Sequence, residues 1–241
     1  MEEAADESAP VRRRPGPRPR MDAETITAAA IEIADADGLA AVSMANVAKR
    51  LGFTTMSLYR HVAGKDELLE RMIDAGVGAP GALDEAGWRE GLAQWTTRIL
   101  DRAVERPWVL DVPILAPPRG PNSLAWMDQA LAAMQDLPLP GADRVGVVLV
   151  LNNFAMSEAA MITGLRRGAA RYGGADAPAY GDALRSVVDP VQFPALHHVL
   201  ESGALDVPVS ATPEEELDDF RFGLDLVLDG IEALIARAGQ G

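Results

Sequence analysis

The 241 residues carry 36 acidic side chains against 22 Lys and Arg, a formal net charge of -14, with 48% apolar residues and no cysteine. That length suits one large domain, or a small head on a larger body, with enough apolar residues for a sizeable core. The lack of Cys excludes disulfides and thiolate metal sites.

Taken whole, the acidic balance argues against a nucleic-acid binder, but its distribution argues the other way. Residues 11–65 hold nine Lys and Arg against five Asp and Glu, a net of +4 that leaves -18 for the rest. A cationic end on an anionic body turns one end toward a polyanion and repels it elsewhere. The first twenty residues mix four acids and five arginines without an apolar stretch, so no secretory signal is expected there. The longest apolar run, Val145 to Leu151, passes into Asn152 and Asn153, so no membrane span is expected and a cytoplasmic protein is.

Residues 1–20 are polar and Pro-rich and read as a disordered basic arm. From about Asp22 to Asp37, the apolar positions Ile26, Ala29, Ala30, Ile33 and Ala34 fall on one helical face, and Gly38 suits the stop. Ser43 is an N-cap for a short helix through Arg50. Thr54 caps another, through His61, and Lys65 to Ala75 makes a fourth. Leu51-Gly52-Phe53 between the two short helices is the Gly-containing turn that a helix-turn-helix needs.

The body begins near Asp84. Trp88, Leu92, Trp95 and Ile99 form one stripe, ended by Pro107. Residues 116–122 read as a loop, followed by a helix with Leu124, Met127, Leu131 and Met134 on one face. After the break at 137–141, residues 143–167 read as one long helix and 172–180 as a mobile Gly/Ala-rich segment. Shorter helices are expected over 182–188 and 195–202. Thr212-Pro213-Glu214-Glu215 opens a last helix to about Ala238. No strand and no repeat is evident. The expected fold is all-α: a helix-turn-helix head over 21–76 and a larger helical body over 84–241.

Residues Ile26 to Ile73 resemble the head of the tetracycline-repressor (TetR) family. The likeness rests on Ser43-Met44, Val47-Ala48, Leu51-Gly52-Phe53-Thr54, Leu58-Tyr59, His61-Val62 and Lys65-Asp66-Glu67-Leu68-Leu69. Gly120-Pro121-Asn122, Phe193-Pro194-Ala195-Leu196 and the run from Phe222 to Leu234 are similar to the tetracycline-repressor-type C-terminal domain. The resemblance implies a homodimer, paired through about 143–167 and 213–238, that binds a palindromic double-stranded operator and is released by a small organic effector. A transcriptional activator, an all-α enzyme and an architectural DNA-coating protein are the alternatives.

Helix N-termini favour phosphate, so Ser43, Thr54 and Lys65 mark anchor points, although Ser43 and Thr54 also serve as plain N-caps. By resemblance Tyr59 and His61 touch the DNA backbone. Thr55, Met56, Ser57 and Arg60 lie on the outward side of the second short helix and are the expected base readers, with Ala45 and Asn46 beside them. Arg60 can instead contact phosphate. Arg12, Arg13, Arg14, Arg18 and Arg20 are suited to a narrow minor groove, or to a solubilising tail.

For the effector, the bulky residues Trp95, Trp126, Met127, Phe154 and Met161 combine with polar Asn153, Ser157 and one of the adjacent pair His197 and His198, with His197 preferred. No histidine lies between His61 and His197 to match the metal-chelating one of tetracycline-responsive members, and neither metal nor cofactor is expected. Gly76-Val77-Gly78-Ala79-Pro80-Gly81 formally matches a dinucleotide fingerprint, but it follows a helix and opens no βαβ unit.

Overall fold

The computed structural model describes residues 21–84, 87–113, 117, 119–172, 180–206 and 213–240. Every regular element among them is helical, as expected. The basic arm, most of the 172–180 segment, part of the 116–122 loop and Thr212 lie outside the described residues.

Four helices make the head. α1 (Ala23–Asp37) starts at Asp22, whose side chain accepts from the Thr25 amide, and buries Ile26, Ala29, Ala30, Ile33 and Ala34. α2 (Met44–Leu51) starts at Ser43. Its end is set by Gly52, at φ 72° and ψ 30° in the left-handed region. The Gly52 amide donates to Lys49 O and the Phe53 amide to Ala48 O, the paired bonds that close a helix when a residue without Cβ can reverse the chain. α3 (Thr55–Leu58) is shorter than expected. From Arg60 the bonds tighten to three-residue spacing, Arg60 to Ser57 and His61 to Leu58, so residues 59–61 continue as a turn. α4 (Lys65–Val77) completes the head, whose core gathers Ile26, Val42, Val47, Leu58, Leu68 and Met72.

The body comprises α5 (Gly87–Glu105), α6 (Pro121–Ala133), α7 (Gly141–Tyr172), α8 (Tyr180–Arg185), α9 (Pro194–Glu201) and α10 (Pro213–Ala238). Leu92, Trp95, Trp126, Met134, Leu151, Ala155, Phe220, Leu224 and Leu228 pack where α5, α6, α7 and α10 meet. α6 begins two residues inside the expected loop, because Pro121 suits a first helical position. α7 outruns its expected span at both ends.

Two features depart further from expectation. The segment after α5, a 3-10 turn over Pro107–Asp111, belongs in sequence to the body, yet Trp108, Val109 and Val112 are buried in the head's core. The Trp108 ring meets Gly76 of α4 and its N–H meets Asp35 of α1, so head and body share a packed seam. In addition, the stretch Gly141–Gly168 contains an 18-residue window with a mean hydropathy of 1.6 and is long and apolar enough to cross a membrane by length and composition. Asn152 and Asn153 do not outweigh the flanking Val, Leu, Ala and Met. Only a third of that window is buried within the chain.

Candidate nucleic-acid interface

The geometry of the head follows from three local devices. Ser43 Oγ accepts from the Asn46 amide at 3.1 Å, and Thr54 Oγ1 accepts from the Ser57 amide at 3.3 Å. Each satisfies one of the amides that a helix start leaves free. At the start of α4, Glu67 reaches back to the Ala63 amide at 2.6 Å and accepts from Arg71 at 2.8 Å. The Ala63 bond first, then the Arg71 bond, hold its carboxyl below the ordinary value.

Between these caps lies an outward surface. Leu58 is fully buried and fixes α3 onto the core, while Thr55 and Ser57 are half-buried and Thr54 is exposed. Met56 is 75% exposed and Tyr59 47% exposed, and Arg60, His61 and Lys65 are exposed beside them. Ala45 is exposed on α2. Asn46 is exposed too, but its amide nitrogen donates to Ala41 O at 2.8 Å, which directs part of its capacity inward. Arg50 is held by Glu32 at 2.7 Å, so its charge is partly neutralised. The expected contact residues of α2, α3 and the start of α4 are therefore exposed or half-buried, outside the head's core.

The comparisons with known proteins accord with this geometry. Residues 26–72 match the family described as bacterial regulatory proteins, tetR family, and residues 79–235 match the tetracyclin repressor-like C-terminal domain. The chain belongs to the tetR family. It is 33% identical over 233 residues to the HTH-type transcriptional repressor DrrR1 of Streptomyces coeruleorubidus, spanning 93% of this chain and 83% of that protein. An HTH-type transcriptional regulator of Saccharopolyspora erythraea is 29% identical over 141 residues, 58% of this chain and 60% of that one. In fold, the chain is similar to ActR from Streptomyces coelicolor in complex with actinorhodin, with a TM-score of 0.72 and 22% identity, covering 89% of this chain and 97% of that one.

Within this tetR-family body, Trp95, Trp126 and Phe154, expected around an effector, pack in the core, and the other expected residues lie outside it. Trp95 and Trp126 meet edge to face at 6.1 Å, both buried, and both indole N–H groups are satisfied, by Trp126 O and Gly78 O. Phe154 instead stacks on Phe220 at 5.4 Å. Asn153, Ser157 and Met161 are exposed, because α7 buries the Leu151, Ala155, Ala159 and Ile162 side and these three fall on the other. Met127 and His197 are half-buried on α6 and α9. A cleft of about 380 Å³ opens elsewhere, between head and body, with Asp35, Arg106, Trp108 and Arg167 in its lining.

Sequence reasoning missed the residues that join head to body. Asp74 on α4 is buried and accepts from Ser123 N at 2.8 Å and Ser123 Oγ at 2.9 Å at the start of α6. Trp108 Nε1 donates to Asp35 at 2.6 Å. The available signal for Asp74 was an acid in the last turns of a helix otherwise rich in buried apolar residues.

Proposed function

We propose that this tetR-family chain is a ligand-responsive transcriptional repressor, acting in the cytoplasm as a homodimer on a palindromic operator and released by a small organic effector. The observation that carries the reading is the outward row Met56, Tyr59, Arg60 and His61, with Lys65 beside it, presented by a capped two-helix unit. Thr55, Met56, Ser57 and Arg60 read bases in the major groove; Ser43, Thr54, Tyr59, His61 and Lys65 hold phosphates.

Two heads must lie roughly 34–36 Å apart, or a multiple of that, to meet successive major grooves on one DNA face. The dimer reading is supported by unpartnered apolar side chains on the two longest helices. On α7, Leu149, Val150, Met161 and Leu165 are each about half exposed or more, and on α10 so are Phe222 and Leu226. Paired with a second copy, these faces form a four-helix bundle, which also accounts for the low burial of the apolar stretch of α7 better than a lipid bilayer does. The effector reading is supported by the structural likeness to ActR, a protein solved with actinorhodin bound.

Selection of bound duplexes from a random pool tests the reading. A palindromic consensus is the expected result, and recovery of unselected sequence sinks it. A thermal-shift screen of small organic molecules tests the effector, since a ligand at about 100 times its Kd adds about 2.7 kcal/mol.

A further inference from the structure

α4 runs from Lys65, on the outward surface, to Val77, and its last turns carry Asp74 against the start of α6 in the body. Asp74 acts there as a cap for another helix. α6 begins after Gly120, whose lack of a side chain leaves the amides of Asn122 and Ser123 without a local acceptor. The Asp74 carboxylate supplies it, accepting from Ser123 N and Oγ and, at 3.3 Å, from Asn122 N and Nδ2. Asn122 Nδ2 also donates to Asp74 O at 3.0 Å. A Cβ at position 120 would collide with the Asp74 side chain, so the glycine is what lets α4 close on α6. A negative charge at a helix N-terminus is favourable in itself.

The second attachment is on α1. Asp35 accepts from Trp108 Nε1, and Arg106 lies 3.5 Å from the same oxygen while donating to Gly76 O at 2.7 Å. The Trp108 ring is 3% exposed within the head's core. Two helices of the head are thus tied to two separate elements of the body. These polar ties add to the packed seam around Trp108 in holding the head at one angle.

We infer that Asp74 and Asp35 are positioning residues that set the angle of each head on its body, and so determine which base-pair spacing between half-sites the dimer accepts. The inference rests on the dimeric operator reading above. One inserted base pair shifts a half-site by about 3.4 Å and turns it by roughly 35°. A head anchored through Asp74 and Asp35 cannot follow without breaking an attachment, whereas one that has lost either carboxylate follows at lower cost.

The experiment uses the full-length chain and the duplex it selects, alongside duplexes with one base pair added or removed at the centre. The intact chain is expected to lose roughly tenfold or more in affinity for either altered duplex. Asp74→Ala is expected to narrow that penalty to below about threefold, with its affinity for a single half-site unchanged. Asp74→Asn, which keeps an acceptor oxygen, is expected to restore most of the discrimination. Asp35→Ala removes the acceptor of the Trp108 N–H and leaves the indole in the head's core, testing the second tie and standing in should Asp74→Ala fail to fold. If these variants weaken all three duplexes by one common factor, the residues are merely structural and the inference is overturned. An intact chain that selects no duplex at all overturns the operator reading itself, and this inference with it.

Discussion

Arg60 and Lys65 are both exposed cations on the same side of the head, yet their expected roles differ. Arg60 follows α3 and can form two parallel bonds with guanine O6 and N7, so Arg60→Ala should cost about 1–3 kcal/mol on the selected duplex and relax preference at one base pair. Lys65 is the first residue of α4 and meets phosphate, so Lys65→Ala should weaken every duplex alike and reduce the salt slope by about one. Binding titrations at several salt concentrations, on matched and mismatched duplexes, separate the two patterns. Equal effects on all sequences would reassign Arg60 to the backbone. Gly52 gives a cleaner residue-scale test. A Cβ there meets nothing within 4 Å, so Gly52→Ala carries only the cost of a left-handed backbone, about 1–2 kcal/mol, measurable by chemical denaturation.

At the scale of elements, the caps were legible because they are local. Ser43 and Thr54 bond amides three residues ahead, and Gly52 closes the helix just behind it, so a short window of sequence contains the whole interaction. The Asp74 and Trp108 attachments were not legible. Their partners lie 48 to 49 and 73 residues away, and the local sequence around either residue does not say which partner it meets. The outward placement of Asn153, Ser157 and Met161 was not legible for a related reason. Bulk and polarity on α7 were read without deciding which face turns inward, and a step of one residue moves a side chain by about 100° around a helix.

One electrostatic consequence also belongs to this scale. Glu158 on α7 has its carboxyl pushed above the ordinary 4.5, first by burial and then by Asp219 on α10. A carboxyl that holds its proton more tightly when folded favours the fold while protonated, and that contribution is lost as pH rises through its raised value. Glu158→Gln should therefore melt higher than the parent at pH 7, by about 0.5 kcal/mol or less, with the gap closing toward pH 4. Melting curves across that range check the sign; a gap that widens on acidification would mean the charged form is the favoured one.

The whole molecule is anionic with a cationic end, and this arrangement has its own test. Residues 1–18 contribute Arg12, Arg13, Arg14 and Arg18 to that end and Glu2, Glu3, Asp6 and Glu7 against it. If the arginines engage DNA while the acids stay in solution, removing residues 1–18 should lower affinity and flatten its dependence on salt. An unchanged slope would leave the segment without a part in binding.

The dimer makes the strongest demand on the molecule as a whole, because one head on one half-site cannot read a palindrome. Leu226 is 58% exposed in the single chain, on a face of α10 that turns away from buried Leu224 and Leu228. Replacing it with Glu leaves the chain's own core untouched, so helix content should be preserved. In a paired bundle the same side chain would become buried, and Leu226→Glu would place a carboxylate opposite its own copy or against apolar neighbours. The variant should therefore sediment as a monomer. Its operator affinity should fall by about 100-fold or more, since the second half-site no longer benefits from being tethered to the first. Affinity for an isolated half-site should hold, which distinguishes a lost partner from a damaged head. A Leu226→Glu chain that remains dimeric would move the pairing surface away from α10 and remove the physical reason for its exposed apolar stripe.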